Sequence, residues 1–233
     1  MITHDLHTHI LPGVDDGAKN SEDALRLINA LWRQGVKNIC LTPHFYTHKE
    51  SVEDFLSRRT ESANSFLPLV PENISIKLGA EVFVTKYLFS EERDLRPLCI
   101  ENTNYMLTEF PYEARFRGSS MRQVTRLRDL GIIPVLPHVE RYPALMKDRG
   151  LLQELVYMGL IIQSNAVSFT EARIKRKLLK LLRDGYIHVL SSDTHSMERN
   201  SPLAVSVTQE YIAKKCGTEI IEKLELNASE IFM

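Results

Sequence analysis

The sequence predicts an α/β fold in which seven parallel strands are joined by crossover helices within one domain. The strands are expected to close into a barrel rather than stay an open doubly wound sheet. Three observations carry this. A short β-like run, a loop and a helix-like stretch recur along the 233 residues. No Pro/Gly/Ser-rich linker or low-complexity block interrupts them. Histidines and carboxylates collect at or just beyond the predicted C-terminal ends of strands, which a barrel gathers round one mouth and an open sheet spreads along an edge. No G-x-G-x-x-G or G-x-x-x-x-G-K-S/T run follows a strand, which counts against a nucleotide-binding sheet.

The first extended segment carries Asp5-Leu6-His7-Thr8-His9, and Leu11-Pro12-Gly13-Val14-Asp15-Asp16-Gly17 follows as a turn. A helix is expected from Ser21 to Gln34, capped by Asn20 or Ser21, with Ala24, Ile28, Leu31 and Trp32 on one face and Gly35 ending it. A strand from Val36 to Leu41 leads to Thr42-Pro43-His44, and Ser51 to Phe66 reads as a helix on Val52, Phe55 and Leu56. Ile74, Ile76 and Leu78 alternate as a strand that ends in Gly79-Ala80-Glu81. Tyr105 to Thr108 ends at Glu109-Phe110-Pro111, and Met121, Val124 and Leu127 mark a helix from Ser119 to Asp129 that Gly131 stops. Ile132 to Leu136 ends in Pro137-His138-Val139-Glu140-Arg141. A helix at Leu151–Tyr157, a strand at Leu160–Gln163 and a basic helix at Glu171–Arg183 come next. The last strand, Ile187 to Leu190, ends in Ser191-Ser192-Asp193-Thr194-His195, and from Ser201 the chain is helical in two pieces separated by Gly217.

Composition narrows the function. The 43% hydrophobic and 25% charged content suits a globular protein with a sizeable core, and a net charge of −1 gives no electrostatic case for nucleic acid or an anionic membrane. No run approaches the roughly 18 apolar residues of a membrane span. The chain opens on a polar, His-rich segment rather than a signal peptide, and Cys40, Cys99 and Cys216 are odd in number and far apart, so a cytoplasmic protein with reduced thiols is expected. Asn73-Ile74-Ser75 and Asn227-Ala228-Ser229 are chance matches to a glycosylation signal on that reading.

His7 and His9 lie two residues apart on an extended segment, so their imidazoles point the same way and can hold one ion. His44, Glu81, Glu109, His138, Asp193 and His195 follow at later strand ends, with Asp15 and Asp16 in the first turn. This inventory exceeds the four ligands of one structural ion or the three of a catalytic one. It predicts two or three ions sharing bridging carboxylates, with manganese, iron and zinc all open. Such a cluster activates water for displacement at phosphorus or at a tetrahedral carbon. Arg141, three residues after His138, suits phosphate oxygens held bidentately, against a surface pairing with Glu140; Arg199, four after His195, is a second candidate.

The opening Asp5-to-Gly17 stretch resembles motif one of the PHP (polymerase and histidinol phosphatase) superfamily. More narrowly, it is similar to the bacterial tyrosine-protein phosphatases encoded with capsule and exopolysaccharide genes, the CpsB/YwqE type. Thr42-Pro43-His44, Gly79-Ala80-Glu81, Glu109-Phe110, Pro137-to-Arg141 and Ser192-to-His195 match in the same order over nearly the whole chain. The resemblance implies a distorted seven-stranded, TIM-like barrel with three divalent ions, manganese foremost. It implies that His7, His9 and Asp193 hold one ion with Glu81, which bridges to a second completed by Glu109 and His138. His44, His195 and Asp16, with Asp15 as the alternative, would hold the third, and Arg141 would bind phosphate. The implied reaction is hydrolysis of phosphotyrosine by metal-activated hydroxide without a phosphoenzyme. Its implied substrate is the tyrosine-rich tail of an autophosphorylating bacterial kinase that controls capsule or exopolysaccharide export. The sequence agrees by omission: Cys-x5-Arg is absent, since Tyr46, Tyr105 and Glu222 stand six beyond the three cysteines.

The remaining histidines are expected elsewhere: His4 at a solvated end, His48 in a polar loop, His188 packed inside a strand. The basic run Arg173–Lys180 reads as a solvated helix face that also suits an acidic, phosphorylated partner. Phe45, Tyr46, Phe110, Tyr112, Phe116 and Tyr142 form either an aromatic rim or loop packing. Two rival functions stand beside the first: the same chemistry on histidinol phosphate or another small phosphoester, and a non-catalytic module that binds a kinase and keeps metals as structure.

Overall fold

The computed structural model describes residues 1–90, 94–112 and 116–233. All seven expected strands are present, two of them broken in the middle. β1 (His4–Thr8) pairs in parallel with β2 (Asn38–Leu41), and β2 with β4 (Ser75–Leu78). β3 (His44–Tyr46) continues β2 beyond Thr42-Pro43, and β5 (Glu81–Phe83) continues β4 beyond Gly79-Ala80. Pro43 has no N–H to give a ladder, which favours the first break. The second sheet then runs β3, β5, β6 (Tyr105–Glu109), β7 (Ile133–Leu136), β8 (Ile161–Asn165) and β9 (Val189–Ser191), all in parallel. The end of β9 returns to β1: Thr8 bridges Thr194, the His9 N–H donates to the Thr194 carbonyl (2.9 Å) and the Asp193 N–H to the His7 carbonyl (2.9 Å). The strands thus follow one another round a ring, and the narrow β9–β1 seam makes it a distorted one.

A bulge in β1 sets up the site. Asp5 pairs with Ile39 and Thr8 with Leu41, so three steps along β1 match two along β2. The extra residue breaks the strict alternation of faces. Leu6 can therefore join the apolar interior while His7 and His9 both face the mouth.

The helices confirm most of the expected boundaries. Asn20 caps α1 (Ser21–Trp32), accepting from the Asp23 N–H, and Ser51 caps α2 (Val52–Phe66). Trp32 is a correction: it is 42% exposed, and the buried face of α1 is carried by Ala24, Leu27, Ile28, Ala30 and Leu31 instead. α3 (Ser119–Asp129) is as expected, whereas α4 (Pro143–Lys147) was not announced by any periodicity, being one turn long. α5 (Arg149–Tyr157) follows. The basic helix α6 (Lys175–Arg183) starts later than predicted; its leucines 178, 179, 181 and 182 are buried, and Arg176, Lys177 and Lys180 are solvated. α7 (Ala204–Cys216) and α8 (Thr218–Phe232) are separated by Gly217 at φ +96°.

α8 closes the end of the ring opposite the mouth. Its Ala228, Ile231 and Phe232 pack on Leu6, Cys40, Leu107, Val135 and Val189 from the strand interiors. This overturns the solvated placing of His4, whose Nδ1 lies 2.7 Å from Glu225 Oε1 on α8 and whose ring meets Phe232 edge-on at 5.3 Å. His188 lies just before β9 rather than inside it, half-buried, with Nδ1 accepting from the Ile162 N–H (3.0 Å). Glu225 also accepts from the Thr3 N–H (2.9 Å) and hydroxyl, and these partners outweigh burial and hold its carboxyl below the ordinary range. Its contribution is therefore present above the unfolded carboxylate pKa and is lost as pH falls through the depressed folded value. Glu225→Ala should cost about 1–3 kcal/mol, read as a lowered Tm at pH 7 that converges on wild type at acid pH. An equal Tm at pH 7 would show that α8 is held by its apolar face alone.

Candidate metal centre

Nine side chains from six strand ends meet at the mouth. After β1 the Pro12–Gly17 turn folds back so closely that the Ala18 N–H donates to the His9 carbonyl (3.0 Å). A Cβ on Gly17 would stand 1.8 Å from that carbonyl oxygen, so only glycine lets the turn lie there and present its two aspartates. His138 (φ +36°) and Asp193 (φ +55°) both adopt left-handed backbone, an uncommon conformation for these residues that aims their side chains inward from the ends of β7 and β9.

The innermost atoms form a tight cage. His7 Nε2 and His9 Nε2 are 3.1 Å apart, and Glu81 Oε2 is 3.3 Å from each. Asp193 Oδ1 lies 3.5 and 3.3 Å from the same two nitrogens. Donors bound to one ion at about 2.1 Å stand roughly 3.0–3.4 Å from each other, so these spacings suit a shared cation. Glu81 Oε2 is also 2.9 Å from His44 Nδ1, and Glu81 Oε1 is 2.7 Å from His138 Nε2, which lies 3.8 Å from Glu109 Oε1. Asp16 Oδ1 stands 3.6 Å from His44 Nε2 and 3.5 Å from His195 Nε2. Among the described residues, three overlapping sets each bring their donor atoms within 4.8 Å: His9, Asp16, His44 and His195; His7, His9 and Glu81; His44, Glu81 and Glu109. His9 and His44 are thus shared more widely than the expected partition gives them.

The chemistry of the donors fits cations. Among the described residues, Glu81 Oε2, Asp193 Oδ1, His44 Nδ1 and His195 Nε2 are buried and make no hydrogen bond of proper geometry, close as some of them lie to one another, a costly condition that a bound ion removes. Burial and the neighbouring Glu81 carboxylate push the Glu109 carboxyl up, and burial together with His9 pushes His195 down to about 4. In both, burial is the larger cause and a neighbouring like charge adds to it.

Behind the cage, His7, His9 and Asp193 are each aimed by their other atom. His9 Nδ1 lies 2.6 Å from Asp15 Oδ2, which also accepts from the His44 N–H (3.0 Å); Asp15 is buried and engaged, whereas Asp16 is half-exposed and faces the histidines. The His7 Nδ1–H points to Gln163 Oε1 (3.3 Å), which also takes the His138 N–H (2.8 Å). Asp193 Oδ2 accepts from Arg141 Nη2 (2.8 Å), Asn165 Nδ2 (2.7 Å) and Asn200 Nδ2 (2.8 Å), which leaves Oδ1 to the cage. Gln163, Asn165 and Asn200 escaped sequence reasoning, which weighed only histidines and carboxylates. Asn165 nevertheless ends β8, where the same positional rule points, and Gln163 lies two residues before it on the same strand.

Arg141 does not pair with Glu140. Glu140 instead accepts from the Ser164 hydroxyl (2.9 Å), the Asn165 N–H (2.9 Å) and the Ser168 hydroxyl (2.7 Å), pinning the loop after β7 to β8. Arg199 Nη1 donates to Asp16 Oδ2 (2.5 Å) at the exposed rim. Of the aromatic residues, Phe45, Phe110, Phe116 and Tyr142 are buried packing, while Tyr46 and Tyr112 reach the surface of the mouth, Tyr112 donating to Glu109.

The family described as capsular polysaccharide synthesis, CpsB/CapC, matches residues 3–233. The tyrosine-protein phosphatase CpsB of Streptococcus pneumoniae is 30% identical over 94% of this chain and 93% of its own length. The tyrosine-protein phosphatase YwqE of Bacillus subtilis is 30% identical over 96% and 89%. A chain from the crystal structures of YwqE from Bacillus subtilis and CpsB from Streptococcus pneumoniae, described as unique metal-dependent tyrosine phosphatases, superposes with a TM-score of 0.80. It is 26% identical and covers 98% of this chain and 94% of that one.

Proposed function

This chain belongs to the CpsB/CapC family, and we propose from that membership that it is a metal-dependent protein-tyrosine phosphatase acting as a single domain. Its substrate is the phosphorylated, tyrosine-rich tail of a bacterial tyrosine kinase that regulates capsular or exopolysaccharide biosynthesis. The observation that carries the reading is the convergence of nine ligand-type side chains on one mouth with an arginine beside them.

In this reading His7, His9, Asp193 and Glu81 hold one divalent ion, Glu81, Glu109 and His138 a second, and His44, His195 and Asp16 a third. Manganese is the first choice, iron and zinc the alternatives. When bound, such ions supply an ionised water for attack at phosphorus and neutralise phosphoryl charge. The chain's own residues do the rest. Arg141 uses one guanidinium nitrogen on Asp193 and offers the remainder of its fork to phosphoryl oxygens. Arg199 holds Asp16 toward the two histidines and adds positive charge at the rim. Cys40 and Cys99 are buried, and burial pushes the Cys99 thiol up to about 12, which does not suit a nucleophile; Cys216 ends α7 and is not among the residues of the mouth. Among the described residues no helix is long and apolar enough to cross a membrane, and a cytoplasmic enzyme meeting a kinase tail accords with that.

The test is side-by-side turnover of a phosphotyrosyl kinase-tail peptide and histidinol phosphate with added manganese, and again after chelation. The peptide should be hydrolysed at least about tenfold more efficiently, a difference of roughly 1.4 kcal/mol in the barrier. Chelation should abolish turnover and lower Tm, because ions that bind only the folded state stabilise it by about 4 kcal/mol at a thousand times Kd. Better turnover of histidinol phosphate would replace the substrate; metal binding without turnover of either would leave a binding module.

A further inference from the structure

A cavity of about 380 Å³ opens beside the metal centre, between the Val14–Asp16 turn and the segment from His44 to Glu50 that leads into α2. Asp16 and His44 belong both to the centre and to the cavity wall. A substrate whose phosphoryl group binds at the centre those two side chains help to form therefore has its neighbouring atoms at the cavity's edge.

Most of the charge in the wall is already engaged. Arg58 meets Glu50 through Nη2 (2.6 Å) and Nε (3.2 Å) and donates Nη1 to the Val14 carbonyl (2.5 Å), tying α2 to the turn. Asp16 has Arg199, and Asp15 has His9 and the Gly17 N–H. Lys49 differs. Among the described residues it has no carboxylate partner, and its Nζ rests 4.2 Å from the centroid of the Tyr46 ring. The Lys49 N–H donates to the Tyr46 carbonyl (2.9 Å), and the Tyr46 ring lies 5.3 Å from that of His44 and 5.7 Å from that of Phe83. The aromatic face parks the ammonium at the cavity without neutralising it.

We propose that this cavity is a specificity subsite for an anionic group flanking the phosphotyrosine in a peptide, either a carboxylate side chain or a second phosphoryl group, with Lys49 as its cation and Tyr46 as its wall. The inference rests on the phosphatase reading above and adds a determinant of sequence preference to it. A tail carrying several phosphotyrosines close together, or acidic residues beside them, would be read at two points rather than one.

The experiment compares kcat/KM of the manganese-loaded protein on three phosphotyrosyl peptides that differ only in a flanking glutamate, glutamine or second phosphotyrosine. Wild type should favour either anionic flank over glutamine by about fivefold, as one exposed charge pair gives. Lys49→Gln should bring both ratios to one, and Lys49→Glu should invert them. The glutamate and phosphotyrosine arms separate the two sources of charge. A wild-type ratio of one overturns the subsite while turnover of the peptides upholds the phosphatase reading. Ratios that survive both variants, or a loss shared equally by all three peptides, overturn it as well. Absence of turnover on every peptide removes the phosphatase reading and the subsite with it.

Discussion

Arg141→Ala should lower kcat/KM on a phosphotyrosyl peptide by about 10²–10³-fold, the usual loss on removing a donor aimed at developing oxyanion charge, with bound metal unchanged. Arg141 follows His138 through a single 3-10 turn, with its own N–H bonded to the His138 carbonyl (2.8 Å), so it cannot drift from the mouth. Its side chain remains 37% exposed while Nη2 is anchored on Asp193, which suits a group that must be both positioned and accessible. The variant should keep its metal because Asp193 Oδ2 retains Asn165 and Asn200 as donors. Arg141→Lys should recover only part of the loss, since an ammonium lacks the planar fork. Kinetics paired with metal analysis decides the matter. Loss of metal in parallel with activity would make Arg141 a support for Asp193 and not a phosphate-binding group.

The fold was legible because parallel strands buried beneath helices leave strong local signals, and because the ligand types avoid helices. The sequence pattern alone assigns His44, Glu81, Glu109, His138, Asp193 and His195 each to a strand end. Two strand breaks were less visible, since Pro43 and Gly79-Ala80 read as ends of strands and the chain resumes pairing beyond both. The bulge in β1 was not legible at all. The i, i+2 spacing of His7 and His9 is the same with or without an extra residue beneath them, and only the register against β2 reveals it.

Long-range partners explain the other differences. His4 looked terminal, yet α8, more than two hundred residues later, folds beneath it. Asp15 and Asp16 are adjacent and chemically alike; what separates them is that Asp15 turns under His9 while Asp16 faces His44 and His195. Gln163 and Asn200 carry no metal-ligand signature, and each gains its role by holding a donor whose other atom faces the cage. Sequence pattern thus locates the donors of a centre better than the groups that orient them.

Glu81→Gln should reduce both metal content and turnover, the latter by more than the roughly 10–100-fold typical of an outer-shell partner. Among the described residues no other carboxylate touches so many imidazoles: Oε2 lies 3.3 Å from His7 and His9 and 2.9 Å from His44, and Oε1 lies 2.7 Å from His138. In the proposed centre this one side chain would serve more than one ion and offset the repulsion between them. The glutamine keeps the shape and one acceptor but loses the charge, so the effect falls on cation binding rather than on packing. Glu109→Gln offers the contrast. Glu109 already has its charged form disfavoured by burial and by Glu81, and it lies farther from His138 at 3.8 Å. Its neutral replacement should therefore cost less metal than Glu81→Gln. Metal analysis of the two variants side by side, with circular dichroism to verify the fold, tests the ranking. Equal metal loss in both would mean that Glu81 serves a single ion and that no carboxylate bridge is formed.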